Sequence, residues 1–140
     1  MGLEKRRHTA LVVDDDESMR SMIARILEHD LGVRPVLAGT CEEAIRLAER
    51  TEFDIILLDL LMPGVGGFEV LRLIRRQGAN VETPVVIVSV LDDKATVDRC
   101  MALKAHAFVT KPVNRDVLGG IVRAQLPNGP HPDKRDWRRG

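Results

Sequence analysis

The stretch IILLDLLMPGVGGFEVL, residues 55–71, contains in order the patterns of a strand, a turn and a helix. Four consecutive apolar residues, Ile55–Leu58, are typical of a strand buried on both faces of a parallel sheet. Asp59 follows directly, and Met62-Pro63-Gly64 has turn chemistry. From Phe68 onward, apolar residues recur at intervals of three and four, which predicts a helix. This stretch therefore predicts a buried strand whose end carries a carboxylate.

The same unit recurs on both sides of this stretch. Four further apolar runs alternate with segments of helical spacing: Ala10–Val13, Val33–Ala38, Val85–Val88 and Ala107–Val109. Helix starts are predicted at Thr40 (with Glu43 as a capping box), at Asp92 or Asp93, and at Asn114, and helix stops at Gly32 and Gly78. Five strands, each followed by a helix, predict an α/β fold: a doubly wound five-stranded parallel sheet with five helices.

Length and composition exclude several classes of protein. The chain has 140 residues, with 21 Lys+Arg against 21 Asp+Glu, which fits one domain. No apolar run approaches the roughly 18 residues of a membrane-spanning helix, and the basic N-terminus lacks the apolar region of a secretory signal. Cys41 and Cys100 stand far apart and are expected to be reduced core residues, which favours a cytoplasmic protein. Both ends are basic around an acidic body, a distribution unlike that of a nucleic-acid binder.

Polar residues stand at the carboxyl ends of four of the five predicted strands. They are Asp14-Asp15-Asp16, Asp59, Ser89 and Thr110-Lys111. In a parallel sheet these ends meet at one edge, where ligands of such folds bind. Clustered carboxylates repel each other unless a cation intervenes, and their oxygens suit Mg²⁺, which usually also binds a phosphate. Taken singly, each residue fits a solvated or structural role, but together they favour phosphoryl transfer to an aspartate.

Four stretches carry a resemblance to a known family: LVVDDDESMR, IILLDLLMPGVGGFEVL, PVVIVSV and AFVTKPV. The chain resembles the receiver domain of two-component response regulators, in particular its stand-alone, chemotaxis-regulator-like form. The resemblance runs from Thr9 to Leu126, with the motifs in the family's order. It implies the flavodoxin-like strand order 2-1-3-4-5. It also implies a receiver that takes a phosphoryl group from a kinase phosphohistidine and signals to a protein partner by a conformational switch.

The resemblance assigns the acidic residues to acceptor and metal roles. Asp59 matches the phosphoacceptor. Asp15 matches the direct Mg²⁺ ligand, and Asp14 the neighbour that usually acts through a water. Asp59 itself and the backbone carbonyl of Leu61 would complete the protein's share of the coordination. The resemblance thus implies a phosphoacceptor signalling domain rather than an enzyme. The only reactions it would catalyse are its own phosphotransfer and slow autodephosphorylation.

The resemblance also implies a switch. Ser89 matches the hydroxyl that moves to bond the phosphoryl group, Lys111 the lysine that pairs with it, and Phe108 the aromatic that turns inward in response. Positive charge and hydrogen-bond donors at the equatorial oxygens are what phosphoryl transfer requires. The Lys111–Pro112 peptide bond is expected to be cis, as it is in the family.

Several positions depart from the family's usual pattern. Val90 stands where a smaller residue is common, and its methyl groups are expected to slow phosphorylation by narrowing access to Asp59. Gly66 replaces a frequent Asp, which removes a helix cap. Lys104 and His106 replace frequent Gly and Asp in the connection before strand five.

Two apolar residues flank the predicted phosphorylation site. Leu61 and Leu91 lie two residues beyond Asp59 and Ser89, and neither can orient an attacking water. The pair predicts a phosphorylated form that hydrolyses slowly.

Three other functions fit the sequence less well. A phosphate-independent receiver-like binding module is favoured only by Val90. An aspartate-nucleophile phosphatase would need a second acid where Leu61 stands, and a flavin-binding protein would not place four acids, Asp14–Glu17, beside a phosphate. The four histidines show no ligand spacing and are expected at the surface.

The resemblance predicts partners as well. They are a sensor histidine kinase or phosphotransfer protein, and a downstream protein read by the face of helix four, strand five and helix five (Val97, Lys104, Phe108 and Arg115). No direct nucleic-acid or membrane contact is expected, and a phosphorylation-dependent homodimer is left open. We expect a basic arm at 1–8, a receiver domain at 9–126 and a flexible tail at 127–140, with no room in the tail for an output domain.

Overall fold

A computed structural model describes residues 7–127. Most of the predicted basic arm and all of the tail beyond residue 127, including Trp137, lie outside the described residues. The boundaries proposed for the receiver domain stay a prediction.

Within the described residues, five parallel strands form one sheet in the order β2-β1-β3-β4-β5. The strands are β1 (Thr9–Val13), β2 (Arg34–Ala38), β3 (Ile55–Leu58), β4 (Val85–Ser89) and β5 (Ala107–Thr110). The predicted strand order and parallel pairing are therefore confirmed. β1 and β3 pair directly, with Val13 opposite Leu58, so the residues that follow these two strands emerge side by side.

Five α-helices connect and cover the strands: α1 (Glu17–Arg25), α2 (Cys41–Arg50), α3 (Gly67–Arg76), α4 (Lys94–Ala102) and α5 (Arg115–Gln125). The predicted caps are present, because Thr40, Asp93 and Asn114 each accept a hydrogen bond from a backbone N–H in the first turn. The capping box differs in one detail, since the Glu43 carboxylate accepts from Gly39 rather than from Thr40. α1 continues as a π-helical turn, Ile26–Asp30, which the regular apolar spacing did not predict.

The sheet carries a hydrophobic core on each face. One core packs α2, α3 and α4 against alternate strand residues such as Leu58 and Ile87. The other packs α1 and α5 against the intervening residues, such as Leu57 and Val86. Neighbouring residues of a strand point to opposite faces, so a strand buried in both layers must be continuously apolar, as β3 is. Both cysteines are free and buried, as predicted.

A buried polar side chain ties the loops at the amino ends of the strands. The Asn80 amide donates to the carbonyl oxygens of Ala48 and Thr51 and accepts from the backbone of Phe53 and the hydroxyl of Thr83. All four of its hydrogen-bonding positions are thus used, which makes its burial tolerable. None of the helices in residues 7–127 combines the length and apolar character needed to cross a bilayer.

Candidate functional site: an acidic cluster at the carboxyl edge of the sheet

The strand ends bring three carboxylates together. One oxygen from each of Asp14, Asp15 and Asp59 lies within 4.8 Å of the other two. Asp14 and Asp59 are buried, at 1% and 5% exposure, whereas Asp15 is exposed. The cluster follows from the sheet order, because β1 and β3 are adjacent and both end at this edge. It is an oxygen-only donor set with one side open to solvent.

Lys111, which follows β5, reaches into this cluster. Its ammonium nitrogen lies 2.9 Å from Oδ2 of Asp14 and 3.1 Å from Oδ2 of Asp59, and its side chain is 14% exposed. The Lys111–Pro112 peptide bond is cis. The Lys111 ammonium therefore donates a hydrogen bond to each of the two buried carboxylates, Asp14 and Asp59. Its positive charge offsets part of their mutual repulsion.

Burial governs the protonation of this group of residues. It raises the pKa of Asp59, and the nearby Asp14 charge adds to that effect, while the Leu61 N–H and the Lys111 ammonium partly offset it. Burial acts in the opposite sense on Lys111, but its hydrogen bond to Asp14 and the charge of Asp59 raise the net pKa. Lys111 therefore stays protonated, and Asp59 is a carboxylate whose charge is poorly compensated.

Local hydrogen bonds fix the backbone around the acids. The Leu61 N–H donates to Oδ1 of Asp59 at 3.2 Å, and the Asp16 N–H donates to Oδ1 of Asp14 at 2.9 Å. Asp16 itself does not join the cluster; its side chain caps α1. Neighbouring residues of the acidic loop thus have separate roles: Asp14 and Asp15 belong to the carboxylate cluster, and Asp16 caps α1.

α3 begins directly behind Asp59. The Gly67 N–H donates to the Leu60 carbonyl at 3.0 Å, and a Cβ on Gly67 would overlap the backbone oxygen of Asp59. Gly66, at the N-cap position, has φ +84° and offers no side-chain cap, in agreement with the sequence analysis. Gly66 and Gly67 therefore allow the start of α3 to lie this close to the end of β3.

Ser89 and Phe108 are near the site but not joined to the carboxylates by a described hydrogen bond. Ser89 is fully buried, and its hydroxyl oxygen accepts from the Leu91 N–H at 3.2 Å. Phe108 is half-buried and packs against the core beneath α3 and α4. Ser89 is thus the last residue of β4, Phe108 lies within β5, and their role as a switch stays a prediction.

Three apolar residues lie just beyond the ends of β3 and β4. Leu61 is 49% and Val90 55% exposed, and Leu91 is half-buried. More than half of Val90 is thus accessible to solvent, and its predicted effect on access to Asp59 stays a prediction.

One site residue was missed by the sequence analysis. Arg20 on α1 donates from Nη1 to the Asp14 backbone carbonyl at 2.8 Å, and the same Nη1 would lie only 2.9 Å from a Cβ on Gly39, the residue after β2. It holds the loop after β1 against the loop after β2. The only sequence signal for this role was the position of Arg20 in the first turn of the predicted helix after the acidic loop.

Comparison with known proteins places these features in context. The family described as response regulator receiver domain matches residues 10–123. The transcriptional regulatory protein YvrH of Bacillus subtilis is 35% identical over 117 residues, which cover 83% of this chain and 48% of YvrH. The chain spans about half the length, or less, of the curated relatives it matches.

Solved structures agree with these sequence matches. The chemotaxis protein CheY4 of Vibrio cholerae superposes with a TM-score of 0.80 at 28% identity, covering 86% of this chain and 100% of that one. The receiver domain of the sensor histidine kinase PA1611 of Pseudomonas aeruginosa gives a TM-score of 0.77 at 26% identity, covering 86% and 98%. The latter structure has a magnesium ion coordinated in its active-site cleft.

Proposed function

Because this chain belongs to the response regulator receiver domain family, we propose that Asp59 is the residue on which it carries the phosphoryl group. Receivers are the phosphoacceptor signalling domains of two-component systems and pair with histidine kinases. The observation that carries the proposal is the placement of the Asp59 carboxylate in the three-acid cluster, 3.1 Å from the Lys111 ammonium. A buried carboxylate with a cation beside it is suited to act as a nucleophile toward an anionic group.

The transfer would proceed by displacement at phosphorus. An Asp59 carboxylate oxygen attacks the phosphorus of a phosphohistidine, the P–N bond breaks with its electrons going to the imidazole, and an acyl phosphate forms. Lys111 is positioned to follow the new charge, because its ammonium already spans Asp14 and Asp59. For Ser89 to donate to the phosphoryl group, its side chain would have to leave the Leu91 N–H.

The carboxylates fit a magnesium ion. Asp15 and Asp59 would bind it directly and Asp14 through a water, with the Leu61 backbone carbonyl as a further ligand. Mg²⁺ takes a few protein oxygens, keeps several waters and neutralises phosphoryl charge, and the open side next to Asp15 leaves room for both. The magnesium in the PA1611 receiver supports the proposal by analogy.

The kinase-side partner would be a histidine kinase or a phosphotransfer protein. For output we propose a protein partner on the surface of α4, β5 and α5, where Val97, Lys104 and Phe108 lie. Arg115, the fourth residue predicted there, forms a two-pronged ion pair with Asp30 of the π-helical turn, so its charge is already engaged toward α1.

The test is phosphorylation by acetyl phosphate followed by intact mass. We expect one added phosphoryl group that requires Mg²⁺, is absent in Asp59→Asn and is retained in Asp98→Asn, an exposed α4 carboxylate used as the control. An adduct that persists in Asp59→Asn would overturn the assignment of the acceptor.

Absence of any adduct in folded protein would favour the phosphate-independent module. In that case Val90→Ala separates the two causes, because recovery of the adduct would make Val90 responsible. Since most of the Val90 side chain faces solvent, we expect this substitution to change the rate little.

A further inference from the structure

A second group of polar residues lies at the opposite edge of the sheet from the acidic cluster. It comprises Arg75 at the end of α3, His106 in the connection from α4 to β5, and the backbone of Lys104 in the same connection. The function proposed above uses no contact of this group. These residues hold together segments that are 29 and 31 residues apart in the chain.

Arg75 has no carboxylate partner among its described contacts and is satisfied by neutral acceptors instead. Its Nε and Nη2 donate to the Lys104 carbonyl at 3.2 and 2.9 Å, and its Nη1 donates to the carbonyls of Asn80 and Val81. Its fifth contact is from Nη2 to Nδ1 of His106, at 3.3 Å. The five N–H groups of the guanidinium are thus all used.

Nδ1 of His106 must be an acceptor in this arrangement. The backbone N–H of Val85 also points at it, at 3.3 Å, and both this amide and the Arg75 guanidinium can only donate. The neutral ring with its proton on Nε2 is the form that fits. A proton on Nδ1 would remove both hydrogen bonds and place an imidazolium against a guanidinium.

The cations near His106 favour its neutral form, and the one nearby carboxylate, Glu82, acts in the opposite sense. Arg75 faces it from α3, Lys104 lies in its own connection, and β4 contributes only the Val85 N–H. Glu82, from the loop before β4, lines the same cleft and is the one carboxylate among the residues lining it. Partial burial and the Arg75 charge lower the pKa of His106.

The segment held by this group is conformationally strained. Lys104 has φ +69°, the left-handed region that residues with a side chain seldom adopt. Its carbonyl receives two of the five Arg75 hydrogen bonds. The clamp therefore opposes relaxation of a backbone that leads, four residues later, to Phe108 on β5.

We propose that Arg75 and His106 form a pH-sensitive clamp on the α4–β5 connection, closed when the imidazole is neutral and opened by its protonation. A group whose pKa is lower in the closed state favours closure above its free pKa, near 6.5, and loses that contribution as the pH falls through and below that value. Mild acid is thus expected to loosen residues 103–106 and the start of β4, and to leave the acidic cluster in place.

A pH titration from 8 to 5 by NMR tests the proposal on the whole chain. We expect the His106 ring to titrate below about 6.5 and the Val85 amide shift to follow the same midpoint. Exchange of the Lys104 and Ala105 amides, corrected for the intrinsic rate, should accelerate several-fold as the pH falls through that midpoint.

His106→Asn is the matched variant, because its amide oxygen can accept from Val85 and Arg75 but cannot be protonated in this range. It should abolish the pH response of residues 103–106, and Arg75→Gln, which removes the neighbouring charge, should raise the His106 midpoint. If the Val85 amide fails to follow His106, or His106 titrates at or above 6.5, the proposal is wrong. The titration of the unmutated protein decides this even if a variant does not fold.

Discussion

The Lys111 ammonium lies 3.1 Å from Oδ2 of Asp59, although 52 residues separate the two in the chain. The same nitrogen is 2.9 Å from Asp14, so one cation compensates two buried carboxylates. Compensation is incomplete, since burial still raises the pKa of Asp59. A buried carboxylate whose ionised form is poorly stabilised gains from any further positive charge at the site.

The first prediction concerns stability. Asp59→Asn should raise the free energy of unfolding at pH 7 without Mg²⁺ by about 1 kcal/mol, because it removes a buried, partly compensated charge and leaves Lys111 paired with Asp14. The destabilisation is fully present above the folded pKa of Asp59 and absent below the unfolded value of about 3.9. Denaturant unfolding at pH 7 and at low pH measures the difference.

Two comparisons make this stability test specific. The gain should fade as the pH falls, and Asp98→Asn should show no gain. Millimolar Mg²⁺ should stabilise the parent by mass action more than it stabilises Asp59→Asn. An equal effect of Asp59→Asn at both pH values would mean that its charge is not the cause.

The second prediction concerns the lifetime of the phosphorylated form. Leu61→Asn with Leu91→Glu should accelerate loss of the phosphoryl group by at least about tenfold, since polar groups beside Asp59 could orient and activate water. Leu61 is 49% exposed and Leu91 half-buried, so the substitutions remove less core packing than a change at the fully buried Leu58 would. Intact-mass decay after removal of acetyl phosphate gives the rate.

The control for the second prediction is an apolar-to-polar change elsewhere. Met101→Glu on α4 and Val117→Asn on α5 alter equally exposed apolar residues without bordering the site. Decay as slow in the Leu61/Leu91 variant as in these controls would refute the idea that apolar flanks protect the acyl phosphate.

The third prediction concerns the approach of α3 to Asp59. Gly67→Ala should destabilise the fold by about 2 kcal/mol or more, because its Cβ would overlap the Asp59 carbonyl oxygen and lie 2.5 Å from Cα of Leu60. It should also slow phosphorylation by displacing Asp59. Thermal unfolding and the acetyl phosphate reaction report the two effects separately.

Gly120→Ala on α5 is the matched control for Gly67→Ala. Nothing lies within 4 Å of its Cβ position, so helix propensity should make this variant more stable by about 1 kcal/mol. If both alanine variants changed stability in the same direction, the close approach at Gly67 would not be the determining feature.

The fourth prediction concerns the strained connection before β5. Lys104→Gly should stabilise the protein by up to about 1 kcal/mol, since glycine adopts φ +69° without steric cost and the carbonyl can still accept from Arg75. Lys104→Ala removes the same side chain but keeps the strain, so it should give no gain. A stabilised alanine variant would assign the effect to the side chain instead.

Much of the fold was predictable because its signals are local. The unbroken apolar run of β3 indicates burial on both faces, and Thr40, Asp93 and Asn114 mark helix starts through hydrogen bonds to residues three positions away. The π-helical turn at Ile26–Asp30 escaped prediction, because one extra residue in a turn barely changes apolar spacing.

The sequence alone determined the alternation of strands and helices and the polar residues at four of the five strand ends, since both depend on periodicity and on chain neighbours. The tertiary structure decided which distant groups meet: Lys111 with Asp14, 97 residues away, Arg75 with His106, and Arg115 with Asp30. These pairings follow from strand order and helix packing, which fix side-chain positions to fractions of an ångström. No local pattern encodes such distances, because hydrogen bonds form only where packing brings donor and acceptor within about 3 Å.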